Sequence, residues 1–164
     1  MEMGEDLNSV SILLRREIEA LIAVPLIKAF AEEFGRDKTM NAALKVIRNL
    51  AHEAGKALAA FAGGNKMEDL AKGMSLFSQG GALEMEIQET GPTRISMNVT
   101  RCQYAEMYKK HGMEEFGCLL SCGRDFALVE GFNAKINLTR TQTIMEGADY
   151  CDFRFTIEDN ISSP

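Results

Sequence analysis

Leu83-Glu84-Met85-Glu86-Ile87-Gln88 is the stretch that decides the fold class. Its apolar and polar residues alternate strictly, which is the pattern of a half-buried strand. The periodic segments before it have a helical repeat instead. Gly91-Pro92 supplies a turn, and Ile95, Met97 and Val99 then resume the alternation. Two alternating runs around a turn predict an antiparallel hairpin.

Upstream, Ile12, Leu14, Ile18, Leu21, Ile22 and Leu26 recur at helical spacing between about Ser11 and Phe34. Pro25 lacks a backbone donor, so a kink or break is expected there, and Gly35 is the expected stop. A second helix is expected from Asp37 or Thr39, both good N-caps, to Gly63-Gly64. Its apolar face would be Met40, Leu44, Ile47, Leu50 and Leu58. A third, shorter helix is expected from Lys66 to Phe77, stopped by Gly80-Gly81.

Downstream, helical spacing returns over 101–110 and 114–130. Ile136 and Leu138 open a third strand, and a fourth, Tyr150 to Ile157, puts Cys151, Phe153, Phe155 and Ile157 on one face. Helices and hairpins without βαβ alternation predict an α+β fold. Its antiparallel sheet of about four strands would follow the N-terminal helices, with two helices inserted between two hairpins. The chain has 164 residues, enough for one core. A single domain over 11–158 is expected, with flexible ends at 1–10 and 159–164.

Composition narrows the function classes. Eighteen Lys and Arg against 24 Asp and Glu give a net charge of −6. An acidic chain without a basic run lacks the electrostatic footprint of a nucleic-acid binder. The N-terminal stretch is acidic where an export signal would be basic, and the apolar run Ala20 to Leu26 is too short to span a bilayer. A cytoplasmic protein with no membrane partner is expected, in which the four cysteines are thiols. The apolar residues of the first helix spread beyond one stripe, so that helix is expected to pack on a second copy in a homo-oligomer.

All four cysteines lie beyond residue 100, and none has the CxxC spacing of a zinc ribbon. Cys102, in Arg101-Cys102-Gln103-Tyr104-Ala105-Glu106, would sit where a strand meets a helix. The helix dipole there lowers a thiol pKa. The bland alternative is a small buried apolar residue. Tyr104 shares the segment and is a candidate for ligand contact. In Leu119-Leu120-Ser121-Cys122-Gly123-Arg124-Asp125-Phe126, Cys122 and Asp125 are three apart on one helical face. Such a pair suits a nucleophile with its base, or two ligands of one metal. A solvated carboxylate is the bland reading for Asp125.

Gly147-Ala148-Asp149 is turn material, and Cys151 begins the inward face of the last strand. The inward face of strand three continues to Arg140, and a buried arginine needs a partner. A substrate carboxylate or an internal acid would serve. The sulfurs of Cys122 and Cys151 are expected to face one internal cavity, with Cys102 near its edge. Cys118 is taken as incidental. His52 and an exposed His111 are poor ligand candidates.

These segments together resemble a known family. Arg101-Cys102-Gln103-Tyr104-Ala105-Glu106, Leu119-Leu120-Ser121-Cys122-Gly123-Arg124-Asp125 and 147–155 (GADYCDFRF) look like the L-2-amino-thiazoline-4-carboxylic acid hydrolase family. The run from Arg15 to Phe30 is similar to that family's opening helix. The resemblance covers about Leu13 to Phe155, and its layout is also similar to 4-vinyl-reductase-type ligand-binding domains. It implies that water adds to C2 of a 2-amino-thiazoline ring and the C–S bond opens, giving N-carbamoyl-L-cysteine. Carried over by position, Cys102, Cys122, Asp125 and Cys151 are the catalytic candidates. Arg140 and Tyr104 are the substrate-binding ones. The alternative function is a ligand-binding or sensor domain with a structural metal or an apolar pocket. Neither residues nor resemblance assign a cofactor or metal.

Overall fold

The computed structural model describes residues 10–157. The flexible ends expected at 1–10 and 159–164 lie, except for Val10, outside the described residues. Among the described residues, six α-helices and four strands form an α+β fold. Helix α1 spans Ile12–Phe34, capped by Ser11, whose Oγ accepts from Leu14 N at 3.2 Å. It runs unbroken through Pro25, so the expected break does not occur. One missing donor in a helix this long removes a single rung of the ladder. Gly35, at φ +93°, joins α1 to α2 (Arg36–Ala62). That helix begins ahead of the expected Asp37 or Thr39 caps and has no side-chain cap. Helix α3 (Met67–Met74) is shorter than expected, because residues 75–81 tighten into 3₁₀ turns.

Strands β1 (Leu83–Thr90) and β2 (Arg94–Cys102) form the hairpin. Arg101 and Cys102 belong to β2, so α4 starts at Gln103 and ends at Lys110. The helical stretch expected over 114–130 is in three pieces. These are α5 (Glu114–Gly117), a wide π turn at Cys118–Cys122, and α6 (Arg124–Phe132). Strands β3 (Ile136–Thr139) and β4 (Cys151–Ile157) complete the sheet, in antiparallel order β1-β2-β4-β3. Among the described residues, no helix is long and apolar enough to cross a membrane.

Two cores flank a seam. The first holds Leu58, Leu70, Met97, Phe132, Leu138 and Phe155 between the sheet and α2, α3 and α6. The second gathers Ala20, Val24, Ile27, Tyr108, Phe116 and Leu120 among α1, α4, α5 and the π turn. Helices α2 and α6 touch backbone to backbone. A Cβ on Gly131 would lie 2.0 Å from His52 O, and one on Gly55 2.0 Å from Leu128 O. This crossing fixes the height of α6 over the sheet. It therefore fixes Asp125.

The expected apolar faces of α1 and α2 are partly corrected. In α1, Ala20, Val24 and Ile27 are buried, while Leu14, Ile18, Leu21, Ile22 and Leu26 are exposed. In α2, Leu58 is in the core but Leu50 is 54% exposed. On β1, Ile87 is also exposed, because β1 is an edge strand whose outer half no helix covers.

Candidate active site

The cavity opens in the seam between the two cores. Helix α1 contributes Ile12 and Arg16, and the segment around α6 contributes Ser121, Cys122, Arg124, Asp125, Leu128 and Val129. Val99, Cys102, Leu138, Arg140, Cys151, Phe153 and Phe155 come from the sheet and its ends. Tyr104, Met74, Phe77 and Leu83 close the remaining wall. All six residues singled out from sequence, Cys102, Tyr104, Cys122, Asp125, Cys151 and Arg140, line this one cavity. Its volume is about 100 Å³. An apolar cavity of ~150 Å³ accommodates benzene, so this smaller one encloses at most a small ring or a short chain segment.

Strand parity places the sheet residues. Cys151 pairs with Val99, and Phe153 with Met97, so Cys151, Phe153 and Phe155 share the inward face. Ile136 and Leu138 are buried on the same side. The next inward position beyond β3 is Arg140. Asp152, facing the other way, accepts Thr141 N and Gln142 N at 2.9 Å each and Thr141 Oγ1 at 2.7 Å. Those bonds pin the chain beside Arg140.

Arg140 is 93% enclosed, with 7% of its side chain exposed, and its partner is internal. Its Nη1 donates to Asp125 Oδ2, and Nη2 donates to Cys122 O at 3.1 Å. The guanidinium also lies 5.2 Å from the ring centres of Phe126 and Phe153. Asp125 leaves a third of its side chain, 34%, open, on the cavity side. Burial pushes its carboxyl up to about 6, outweighing the opposing pull of Arg140. Asp125 is thus a carboxyl group held above the ordinary carboxylate range.

The thiols behave differently from expectation. Cys102 caps α4, but burial pushes it up to about 11, outweighing hydrogen bonds from the Ala105 and Tyr104 backbone. Desolvation beats the helix dipole here. Burial also raises Cys151, which accepts Ile144 N at 3.2 Å. Cys122 is raised by its hydrogen bond to Cys118 and by burial. The same bond lowers Cys118 to about 7. The three cavity thiols are therefore neutral, and the acidic thiol is Cys118, the one cysteine the sequence gives no role. The π turn brings the pair together, with Gly123 N donating to Cys118 O at 2.7 Å, five residues back. Such turns recur at functional sites.

Tyr104 lines the cavity, but its hydroxyl donates to Phe77 O at 3.1 Å. His111 is half-buried, not exposed, with Nε2 2.7 Å from Glu17 Oε1. Sequence reasoning missed Arg16 and Arg124. Arg124 stands inside the quoted motif, and only burial distinguishes it from a surface arginine. Among the described residues, no group of three or more His, Cys, Asp or Glu side chains could hold a metal ion. The cavity cysteines therefore do not make the closed ligand set of a structural metal.

Helices close a small, mostly apolar cavity against one face of an antiparallel sheet in an α+β domain, with Asp125 in its wall. The profile of the L-2-amino-thiazoline-4-carboxylic acid hydrolase family matches residues 15–155, and the chain belongs to that family. Two solved structures share the fold. One is the phenol-responsive sensory domain of the transcription activator PoxR with phenol, at TM-score 0.54 and 12% identity, covering 89% of this chain and 76% of that one. The other is trafficking protein particle complex subunit 3 from Naegleria fowleri covalently bound to palmitic acid. Its TM-score is 0.53 at 10% identity, covering 89% of this chain and 96% of that one. At such identities the likeness is one of fold. A search of curated protein sequences finds no match.

Proposed function

We propose that the protein is a hydrolase that opens a small cyclic amidine, of the 2-amino-thiazoline-4-carboxylate type, with Asp125 as its proton carrier. The observation that carries this reading is Asp125, held near pKa 6 in the wall of a ring-sized cavity. A general base works best when its pKa is near the working pH. The cavity thiols are neutral, so the nucleophile this geometry favours is water. Water oxygen adds to C2 of the ring while Asp125 takes one proton and passes it to the ring nitrogen. The C–S bond then breaks, and the hydroxyl proton moves through the same carboxylate to the departing sulfur. The product is an N-carbamoyl amino thiol.

Arg140 holds the carboxylate in place from behind, so it acts on the reaction through Asp125. Cys102, Cys122 and Cys151 form a soft wall against the ring sulfur. The test is product formation from 2-amino-thiazoline-4-carboxylate by the unmutated protein, Asp125→Asn, Cys122→Ser and Cys118→Ser. Asp125→Asn is expected to lose about two to four powers of ten, Cys122→Ser less, and Cys118→Ser under about tenfold. No turnover by the folded, unmutated protein would sink the reading.

The second reading is a ligand-binding domain. The observation favouring it is the mostly apolar cavity, whose walls include Val99, Leu138, Phe153 and Phe155. The fold neighbours carry phenol and palmitic acid. Tight binding of a small apolar compound without turnover would favour it. We place the protein in the cytoplasm, where its four free thiols stay reduced. The exposed Leu14, Ile18, Ile22 and Leu26 support a second copy packing on α1. A monomer by light scattering at micromolar concentration would remove that part.

A further inference from the structure

We propose that Arg16 and Arg124 form an anion-binding subsite in the cavity wall, which holds one carboxylate of a small ligand with an apolar body. The inference deepens the ring-opening reading and rests on it for the identity of the ring. The two guanidinium groups would attract any anionic ligand.

The charges lining the cavity are three arginines, Arg16, Arg124 and Arg140, and one aspartate, Asp125. Arg140 and Asp125 satisfy each other. Arg16 and Arg124 are left with Glu19 between them. Arg16 Nη1 bonds its Oε2, and Arg124 Nη1 lies 3.9 Å from the same oxygen. Two cations thus share one carboxylate. One positive charge remains uncompensated in a pocket that exposes only 12% and 11% of these side chains. Burying such a charge is costly unless a partner arrives.

Arg124 is the sharper of the two. A guanidinium has five N–H donors. Among the described residues its one hydrogen bond goes to Leu120 O, at the long distance of 3.5 Å. Its nitrogens are not sealed off as unsatisfied buried atoms. Arg124 lines the cavity, and a planar fork of this kind matches a carboxylate. The arrangement frees Arg140 from the carboxylate-binding role expected of it. A ligand anchored at Arg16 and Arg124 by its acid would lay its apolar body toward Leu128, Phe153 and the thiols.

Binding is measured calorimetrically with two pairs of probes that the protein does not hydrolyse. These are 2-aminothiazole-4-carboxylate against 2-aminothiazole, and hexanoate against hexanol. In at least one pair the acid is expected to bind about tenfold tighter or more. Arg124→Gln and Arg16→Gln should erase that preference while neutral-probe binding persists, which also reports an intact cavity. Equal affinity for acid and neutral members in both pairs, no binding of any probe, or a preference that survives both substitutions overturns the subsite. A preference confined to hexanoate keeps the subsite and counts against the ring-opening reading alone.

Discussion

The sheet and the first helix treat apolar sequence in opposite ways. On β2 and β4 the alternating residues Ile95, Met97, Val99, Cys151 and Phe155 are all buried, as their period requires. On α1, Leu14, Ile18, Leu21, Ile22 and Leu26 are 45–62% exposed, and Ala20, Val24 and Ile27 face inward. A strand has two faces, and its neighbours decide which one is buried. A helix rich in apolar residues all round has no such instruction, and only the stripe that meets a neighbour is buried. The sheet half is thus closed by its own residues. The α1 half leaves its apolar bulk on the surface.

The largest expected effect lies where the closed half is tightest. Gly131→Ala would drive a methyl group into the backbone of α2 at His52. A loss of about 3 kcal/mol or more is expected, comparable to severe overpacking. In a thermal melt that corresponds to a fall of roughly 6–12 °C. An unchanged melting temperature would mean that α2 and α6 do not cross this closely.

The next contrast is between thiols on the two sides of the seam. Cys118, lowered to about 7 by its bond from Cys122, should alkylate with a midpoint near that pH. Cys102, pushed up to about 11, should stay unreactive at pH 7 and resist the same reagent by more than a hundredfold. Peptide mapping of the labelled, folded protein checks both. Equal labelling would remove the electrostatic difference between the π turn and the cavity floor.

Much of the site was legible because chemistry-bearing residues followed strand parity and helix spacing. Cys151 and Arg140 were placed inward by the alternation of β4 and β3, and Cys122 with Asp125 by a spacing of three. Burial of charge was not legible. The Cys102 position suggested an acidic thiol, yet desolvation reversed the sign. Cys118 looked incidental because its acidity depends on the π turn, which no local pattern announces. Arg16 and Arg124 resemble any helix-surface arginine until the fold turns them toward the cavity. The interruption of the helix over 118–122 was missed for the same reason, since its apolar period continues through the wider turn.

A smaller effect sharpens the comparison from the surface side. Ile22 is 62% exposed. In a monomer, Ile22→Ser should change stability by within about 0.5 kcal/mol. If a second copy covers α1, the same change should shift the sedimentation profile toward monomer while each subunit stays folded. A large loss of stability at concentrations where the protein is monomeric would show that α1 is buried within its own chain.

The pH dependence of folding contributed by Asp125 tests the polar end of the cavity. Its carboxyl is raised from 3.8 to about 6, so between those values the folded state holds a proton that the unfolded state has released. Stability from this group is fully present below about 3.8 and is lost as the pH rises through about 6. Urea melts at pH 4 and 6.5 of the unmutated protein, compared with Asp125→Asn, should show this difference only in the former. An opposite slope would mean that the ion pair with Arg140 outweighs burial.

The central claim is that the cavity's chemistry runs through Asp125. Its most direct test is the pH profile of kcat/KM for 2-amino-thiazoline-4-carboxylate. The rate is expected to rise tenfold per pH unit below about 6 and to level off above it, because the base must be ionised. That limb should disappear, with nearly all activity, in Asp125→Asn. A rate that climbs only above pH 9, as a buried thiol ionises, with Asp125→Asn within tenfold of the unmutated protein, would contradict it.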